Sequence, residues 1–221
     1  MAQNDNEALN RLRRTPISWA ELETIILSPN VEDLSKLARS EEQQNTYLKC
    51  RADIKNEWES IYDYLLCTKF EFGWDWADAP LDSSSGGDKN NLRQRHSTPT
   101  FQEYLNDHQQ HVKEGKCNIQ LKLCINDFPY YLAPGIEHFV LWKLGGDVTP
   151  DEIAKAKLDI LKDSQLWATM HDRASDRTYE HNLEQRIVND HAVFLHWINP
   201  PHLKSLPGID HVHIIFHSGQ E

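Results

Sequence analysis

The sequence predicts an α+β protein, in which N-terminal helices pack on an antiparallel sheet built from the C-terminal strands. Two patterns lead to this prediction. Residues 15–70 combine helix-capping pairs with apolar residues at helical spacing, whereas the alternation typical of half-buried strands occurs only in the second half of the chain. The length of 221 residues favours one domain. We place this domain at 15–221, behind a disordered tail at 1–14.

Helix-starting signals occur twice in the N-terminal part. Ser18 and Ser40 each precede a Glu or Gln by three residues, the spacing at which two residues cap each other's backbone N–H groups. We expect a short helix between Ser18 and Pro29, a second helix at 31–38, and a long helix from Ser40 to about residue 70.

The rest of the chain mixes a long loop, helices and strands. The stretch at 73–99 contains a run of Ser, Gly and Asp, and a loop of this length is typically a lid, a binding loop or a disordered segment. Helical signals favour helices at 100–114, 149–161 and 176–188. Alternating apolar residues predict four strands, at 119–125, 137–144, 192–198 and 211–217.

Composition excludes several classes of function. Asp and Glu number 34 against 23 Lys and Arg, a net charge of −11, so no nucleic-acid partner is expected. The chain has no run of 18 apolar residues and no signal-peptide core near its start, so we expect no membrane partner and a cytoplasmic protein that can also occur in the nucleus. The four cysteines form no C-x-x-C pair and are expected to be reduced thiols.

Histidines are concentrated near the C-terminal end, where five of the twelve lie in the last 30 residues. In the last strand, Val212, Ile214 and Phe216 share an apolar face that we expect to meet the core. His211 and His213 share the opposite face. This H-x-H pair is therefore the main candidate for chemistry.

Two other strands supply further candidates. If strand 192–198 pairs antiparallel with the last strand, His196 is expected beside the histidine face. His138 follows a Pro-Gly pair near the start of its strand, where functional residues often lie. Trp142 shares one side of that strand with His138.

Three kinds of site can use these residues. A histidine titrates near neutrality and can act as a nucleophile or general acid/base, which requires no cofactor. Alternatively, His211 and His213 can chelate a divalent metal together with His138 or His196. In a third alternative the protein is not an enzyme, and its acidic surface and the loop at 73–99 contact a protein partner whose identity the sequence does not give.

Segments along nearly the whole chain resemble the fungal N-acetylglucosamine-induced protein family, whose shared domain is uncharacterised. The resemblance implies an intracellular fungal protein linked to the response to amino sugars, and it brings no established reaction with it. The matching segments are Trp58–Leu65, Asn126–Tyr130, Gly135–His138, Trp142, Trp197–Pro200, Leu203–Ser205 and His211–His213.

The last 90 residues also resemble the histidine-triad superfamily of nucleotide hydrolases and transferases, which implies a histidine-triad-like sheet. The matching residues keep the order of that superfamily's motifs: Pro134–Trp142, Asn199, Ser205 and His211–Phe216. This resemblance implies that His211 is the nucleophile and that His213 is the last histidine of the triad. Ile209 stands where the first histidine would be, so the triad is incomplete.

These features together favour a small-molecule enzyme or ligand-binding protein that acts on a nucleotide or sugar-phosphate-like ligand. The leading hypothesis makes His211 the nucleophile or base and His213 its hydrogen-bond partner. The candidate catalytic residues are His211, His213 and His138, and the candidate substrate-binding residues are His196, Trp142, Asn199 and Ser205.

Overall fold

A computed structural model of the chain describes residues 12–58, 60–70, 120–164 and 190–218. The α-helices are α1 (Trp19–Ile26), α2 (Glu41–Glu57), α3 (Ile61–Lys69) and α4 (Pro150–Asp163). The strands are β1 (Gln120–Ile125), β2 (Ile136–Leu144), β3 (Phe194–Trp197) and β4 (Asp210–His217). Two short 3-10 helices cover Val31–Lys36 and Pro201–Leu203. These elements confirm the α+β prediction.

The chain divides into two compact units, one formed by Met1–Asn45 with Leu123–Glu221 and the other by Thr46–Lys122. The histidine-bearing strands belong to the first unit. The predicted loop at 73–99 and the predicted helices at 100–114 and 176–188 lie outside the described residues. Within the described ranges, no helix is long and apolar enough to cross a bilayer.

The N-terminal helices follow their capping signals. Ser18 Oγ accepts a hydrogen bond from the Glu21 N–H at 3.3 Å, as expected at the start of α1. Arg13 lies inside the predicted disordered tail, but two contacts hold it in place. Its guanidinium lies 2.7 Å from Glu21 Oε1, and its backbone N–H donates to the Arg39 carbonyl. The segment predicted as a second helix at 31–38 is a shorter 3-10 helix.

The predicted long helix is interrupted. The capping box of Ser40 and Gln43 forms in both directions and starts α2, at 3.0 and 3.2 Å. The helix then ends at Glu57 and a new one begins at Ile61, because Ser60 adopts an extended backbone and its Oγ accepts from the Asp63 N–H at 3.1 Å. The prediction of one helix to residue 70 is therefore wrong: a side chain that caps a helix stops the one before it.

The sheet has the strand order β1-β2-β4-β3, with β2 and β3 both antiparallel to β4. The central position of β4 decides which side chains share a face, since directly opposite residues in an antiparallel pair point the same way. His211 lies opposite Trp142, and His213 lies between Val140 on β2 and Trp197 on β3.

The apolar face of β4 packs against α4, as its alternation predicts. Val212, Ile214 and Phe216 join Ile160 and Leu161 of α4 in one buried cluster. The helix starts with a complete capping box, in which Thr149 Oγ1 accepts from the Glu152 N–H and Glu152 Oε2 accepts from the Thr149 N–H.

The histidine-bearing face is covered as well, by the N-terminal segment. A second buried cluster joins Leu195, Trp197 and Ile215 of the sheet to apolar side chains from this segment: Ile17, Leu22, Ile25, Leu34 and Leu37. The backbone of Ile17 anchors it by donating to the Tyr131 carbonyl at 2.7 Å. The histidines therefore lie inside the protein, between the sheet and the N-terminal segment.

Candidate functional site

Three of the predicted histidines converge on one sheet face. His138 Nε2 lies 3.0 Å from His213 Nδ1, although the two residues are 75 positions apart. The ring of His211 is edge-on to that of His213, with 5.4 Å between centroids. Exposure is 3% for His138, 3% for His211 and 9% for His213. The predicted H-x-H pair and His138 thus form one buried cluster, which we call the histidine cluster.

A hydrogen-bond chain fixes the proton positions in this cluster. The indole Nε1–H of Trp197 can only donate, so its 2.9 Å contact makes Asn199 Oδ1 the acceptor and turns Asn199 Nδ2 toward His213. That amide donates to His213 Nε2 at 3.2 Å. The proton of neutral His213 is then on Nδ1 and is donated to His138. This tautomer is assigned from the hydrogen-bond network.

Among the described residues, one polar side chain besides His213 lies within hydrogen-bond distance of His138. Asn126 Oδ1 accepts from the Phe128 N–H at 3.0 Å, so its amide nitrogen is the atom that faces the imidazole. That nitrogen is 3.3 Å from both ring nitrogens of His138. An amide nitrogen in the plane of the ring, at 3.3 Å from both ring nitrogens, would overlap the ring carbon between them. The amide therefore lies over the ring face, as in an N–H···π contact.

Aromatic rings line the remainder of the cluster. Tyr130 stacks on His138 at 5.3 Å between centroids, and Trp197 stacks on His213 at 4.8 Å. The indole of Trp142 lies 4.7 Å from His211. These rings hold the imidazoles in fixed orientations.

Burial keeps the cluster uncharged at neutral pH. It lowers the pKa of His138 to about 3, with a smaller contribution from the positive charge of Arg39. Burial also moves the pKa of His213 well below its ordinary value, helped by the neighbouring histidines and Arg39. The pKa of His211 is lowered by burial against the opposing effect of its hydrogen bond to Ile209.

His211 is oriented by a backbone carbonyl. Its Nδ1–H donates to the Ile209 carbonyl at 2.9 Å, which leaves the lone pair of the neutral imidazole on Nε2. Nε2 makes no hydrogen bond to any residue in the described ranges. An imidazole held in this way has the tautomer that a nucleophile or general base requires.

Two ion pairs lie beside the cluster. Asp210 is bound by Lys204 at 2.9 Å and by the Val148 N–H at 2.8 Å, and these contacts lower its pKa although burial opposes them. Lys143, opposite Asp210 in the register, bonds Glu152 at 2.9 Å. Both pairs connect β2 and β4 to the segments that flank them, and in the described part of the chain neither carboxylate hydrogen-bonds to an imidazole of the cluster, although the charge of Asp210 opposes the lowering of the His211 pKa by burial.

Comparison with known proteins gives the family. A family model described as "Protein of unknown function (DUF3605)" matches residues 18–217. The chain belongs to the DUF3605 family. No curated protein matches it. A solved structure described as "Crystal Structure of HTC1" is similar at 18% identity, with a TM-score of 0.44, covering 90% of this chain and 84% of that one. None of these comparisons supports the resemblance to the histidine-triad superfamily.

The remaining predicted site residues of this DUF3605 chain do not all reach the cluster. His196 lies opposite Ile214, on the α4 side of the sheet, and is exposed. The expectation that it lies beside His211 and His213 is wrong, because Trp197 takes the register position opposite His213. A shift of one residue reverses the face of every side chain in a strand, and the alternation within one strand does not define its register.

Asn199 and Ser205 differ in their placement. Asn199 is buried, and its amide oxygen and nitrogen both take part in the hydrogen bonds that link Trp197 to His213. Its place in this network is that of a positioning residue. Ser205 is exposed and makes no hydrogen bond within the described ranges. Trp142 is half-buried and contacts His211 directly.

Sequence reasoning missed several residues that shape the cluster. Asn126 and Tyr130 lie between the predicted strands at 119–125 and 137–144 and carried no signal beyond the family resemblance. Arg39 comes from the N-terminal segment, 89 positions from Phe128, whose carbonyl accepts its guanidinium at 3.0 Å. Only the fold brings these residues to the histidines.

A metal centre would need a different arrangement. Within the described ranges, no group of three or more His, Cys, Asp or Glu side chains is placed to hold a metal ion. His138 and His213 turn their facing nitrogens toward each other and share a proton, and His196 is on the other face. The metal hypothesis stays a prediction that elemental analysis of untagged protein can test.

Proposed function

We propose that this chain is an intracellular small-molecule enzyme whose site is the histidine cluster, with Nε2 of His211 as nucleophile or general base. The observation that supports this most directly is the pairing of the His211 Nδ1–H with the Ile209 carbonyl, which leaves the lone pair on Nε2, an atom with no hydrogen bond to a described residue. The ring is neutral at pH 7 and is ready to attack or to accept a proton. The rings of Trp142 and His213 pack against it, with centroids at 4.7 and 5.4 Å.

The proposed ligand is a nucleotide or sugar-phosphate-like molecule. Positive charge near the cluster supports a ligand with anionic oxygens, since Arg39 lies over Tyr130 at 5.8 Å and Tyr130 stacks on His138. Lys204 adds a second cation but is paired with Asp210. One guanidinium, which also donates to the Phe128 carbonyl, gives a modest positive potential, and this favours a ligand with one phosphate over a polyphosphate.

The biological setting follows from the sequence resemblance alone. We propose that the protein belongs to the fungal response to amino sugars. Comparing its abundance in cells given N-acetylglucosamine or glucose as carbon source tests this. An abundance that does not change would remove the proposed link and leave the proposed chemistry in place.

The chemical proposal is tested with His211→Asn. The Asn amide can still donate to the Ile209 carbonyl, whereas the atom that corresponds to Nε2 is gone, so the fold should be retained. We expect wild-type protein to turn over at least one member of a panel of nucleoside monophosphate esters and sugar phosphates, followed by phosphorus NMR. The variant should lose about 100-fold or more of that rate.

The matched control is His191→Asn, which makes the same chemical change at an exposed position outside the cluster. It should retain full activity. If His211→Asn turns over the same substrate as fast as this control, His211 is not the reacting group. If wild-type protein leaves the whole panel unchanged, the proposal of an enzyme acting on such ligands fails.

A further inference from the structure

His138 carries a buried donor that the hydrogen-bond network leaves without an acceptor. A neutral imidazole has one N–H, and Nε2 of His138 accepts from His213. The proton of His138 is therefore on Nδ1. This assignment starts from the indole of Trp197, which can only donate, and follows the hydrogen bonds through Asn199 and His213 to His138.

No acceptor for this Nδ1–H exists among the described residues. Its nearest polar neighbour is the Asn126 amide nitrogen, which is itself a donor, and the Asn126 oxygen is used by the Phe128 N–H. His138 is 3% exposed. Buried N–H groups almost always have a partner, so an unmatched one in a cluster of this kind points to a ligand atom.

The charge around His138 selects the type of atom. Arg39 lies 5.8 Å from the centroid of the Tyr130 ring, which stacks on His138, and it contributes a positive potential at both His138 and His213. Within the described ranges, no carboxylate hydrogen-bonds to His138, His213, Asn126 or Asn199. A donor in a positive field to which no described carboxylate is hydrogen-bonded favours an anionic oxygen over a neutral one.

We propose that the Nδ1–H of His138 binds an anionic oxygen, of a phosphate or a carboxylate, and so anchors the small molecule of this site. In this arrangement His138 is a binding residue and not a base, because its lone pair is used by His213. The hydrogen bonds that run from Trp197 through Asn199 to His213 keep the proton of His138 on Nδ1, the nitrogen that binds the anion. The inference rests on the proposed function only for the reaction of the bound molecule, since anion binding itself does not need His211 to react.

The experiment observes the histidine nitrogens of full-length ¹⁵N-histidine-labelled protein by NMR, while inorganic phosphate or acetate is added at constant ionic strength with chloride as the reference. In wild-type protein we expect the Nδ1 resonance of His138 to have the shift of a protonated nitrogen and to move saturably with phosphate. Chloride should leave it unchanged. A response to acetate but not phosphate would identify a carboxylate as the preferred ligand group.

Two substitutions separate the roles of the two nitrogens. His138→Asn keeps an N–H near the Nδ1 position, and His138→Gln keeps a nitrogen near the Nε2 position. Binding followed on the other histidine signals should survive in His138→Asn and weaken about tenfold or more in His138→Gln. His191→Gln is the exposed control.

Either of two results on wild-type protein, which needs no variant to fold, overturns the inference. One is an unprotonated Nδ1 on His138. The other is a protonated Nδ1 whose resonance neither phosphate nor acetate shifts. In that case the Nδ1–H would donate to a water molecule and not to an anion. Anion binding that persists in His211→Asn, together with unchanged turnover in that variant, would refute the proposed function while supporting the role of His138.

Discussion

Acidification should destabilise the folded protein through His138. The ordinary pKa of this side chain is 6.5, and burial lowers it to about 3 in the folded state. Between these two values the unfolded chain binds a proton at His138 and the folded chain does not. The free energy of unfolding must therefore be highest above pH 6.5, fall as the pH drops below it, and level off near pH 3.

The size of this effect follows from the pKa difference. One pKa unit corresponds to about 1.4 kcal/mol, so lowering the pH from 7 to 5 should remove about 2 kcal/mol of stability through His138 alone. His213 acts in the same direction, because its pKa is also lowered by burial. A loss of this size is a large fraction of the stability of an ordinary domain.

Urea unfolding at pH 7 and pH 5 measures the loss, and His138→Gln isolates the contribution of one side chain. Because Gln does not titrate, the stability difference between the two pH values should be about 2 kcal/mol smaller in His138→Gln than in wild-type protein. His191→Gln, at an exposed position, should behave like wild type. Equal pH dependence in wild type and His138→Gln would show that His138 does not stay neutral in the folded state, and the reasoning on the cluster would be refuted.

Two further predictions concern the supports of the cluster. Trp197→Phe keeps the ring on His213 but removes the donor that orients Asn199, so we expect a loss of about 1–2 kcal/mol and a mixture of His213 tautomers in ¹⁵N NMR. If His213 kept a single, unchanged tautomer in Trp197→Phe, the indole N–H would not be what sets the proton positions in the cluster. Thr149→Ala breaks the capping box of α4 and should cost about 1 kcal/mol in thermal or urea unfolding while leaving the histidine signals in place. Thr24→Ala, on the exposed side of α1, is its control, and an equal effect of the two changes would count against the capping role.

Patterns that depend on neighbours in sequence predicted the structure well. The two-faced pattern of β4 placed Val212, Ile214 and Phe216 in the core, and the capping pairs at Ser18 and Ser40 marked helix starts. Such signals succeed because a cap or an alternation is determined by residues within a few positions of each other.

Features that depend on pairing between distant segments were not predicted. The face of His196 is set by the register of β3 on β4, and the amide of Asn199 is oriented by the indole N–H of Trp197. The same limit applies to Ser60, where a capping serine inside an apolar periodic stretch divides one expected helix into two. Register and hydrogen-bond direction are properties of the folded chain, and one strand or helix alone does not contain them.

The cover on the histidine face has a consequence for how the protein folds. Ile17 and its neighbours close this face from the opposite end of the chain, so contacts of very large sequence separation complete the cluster. We therefore expect the cluster to be among the last parts to assemble, because the entropy of closing so long a loop is lost before its contacts form. A fragment lacking the first 40 residues would expose Leu195, Trp197 and Ile215 as one apolar surface. We expect such a fragment to aggregate during synthesis.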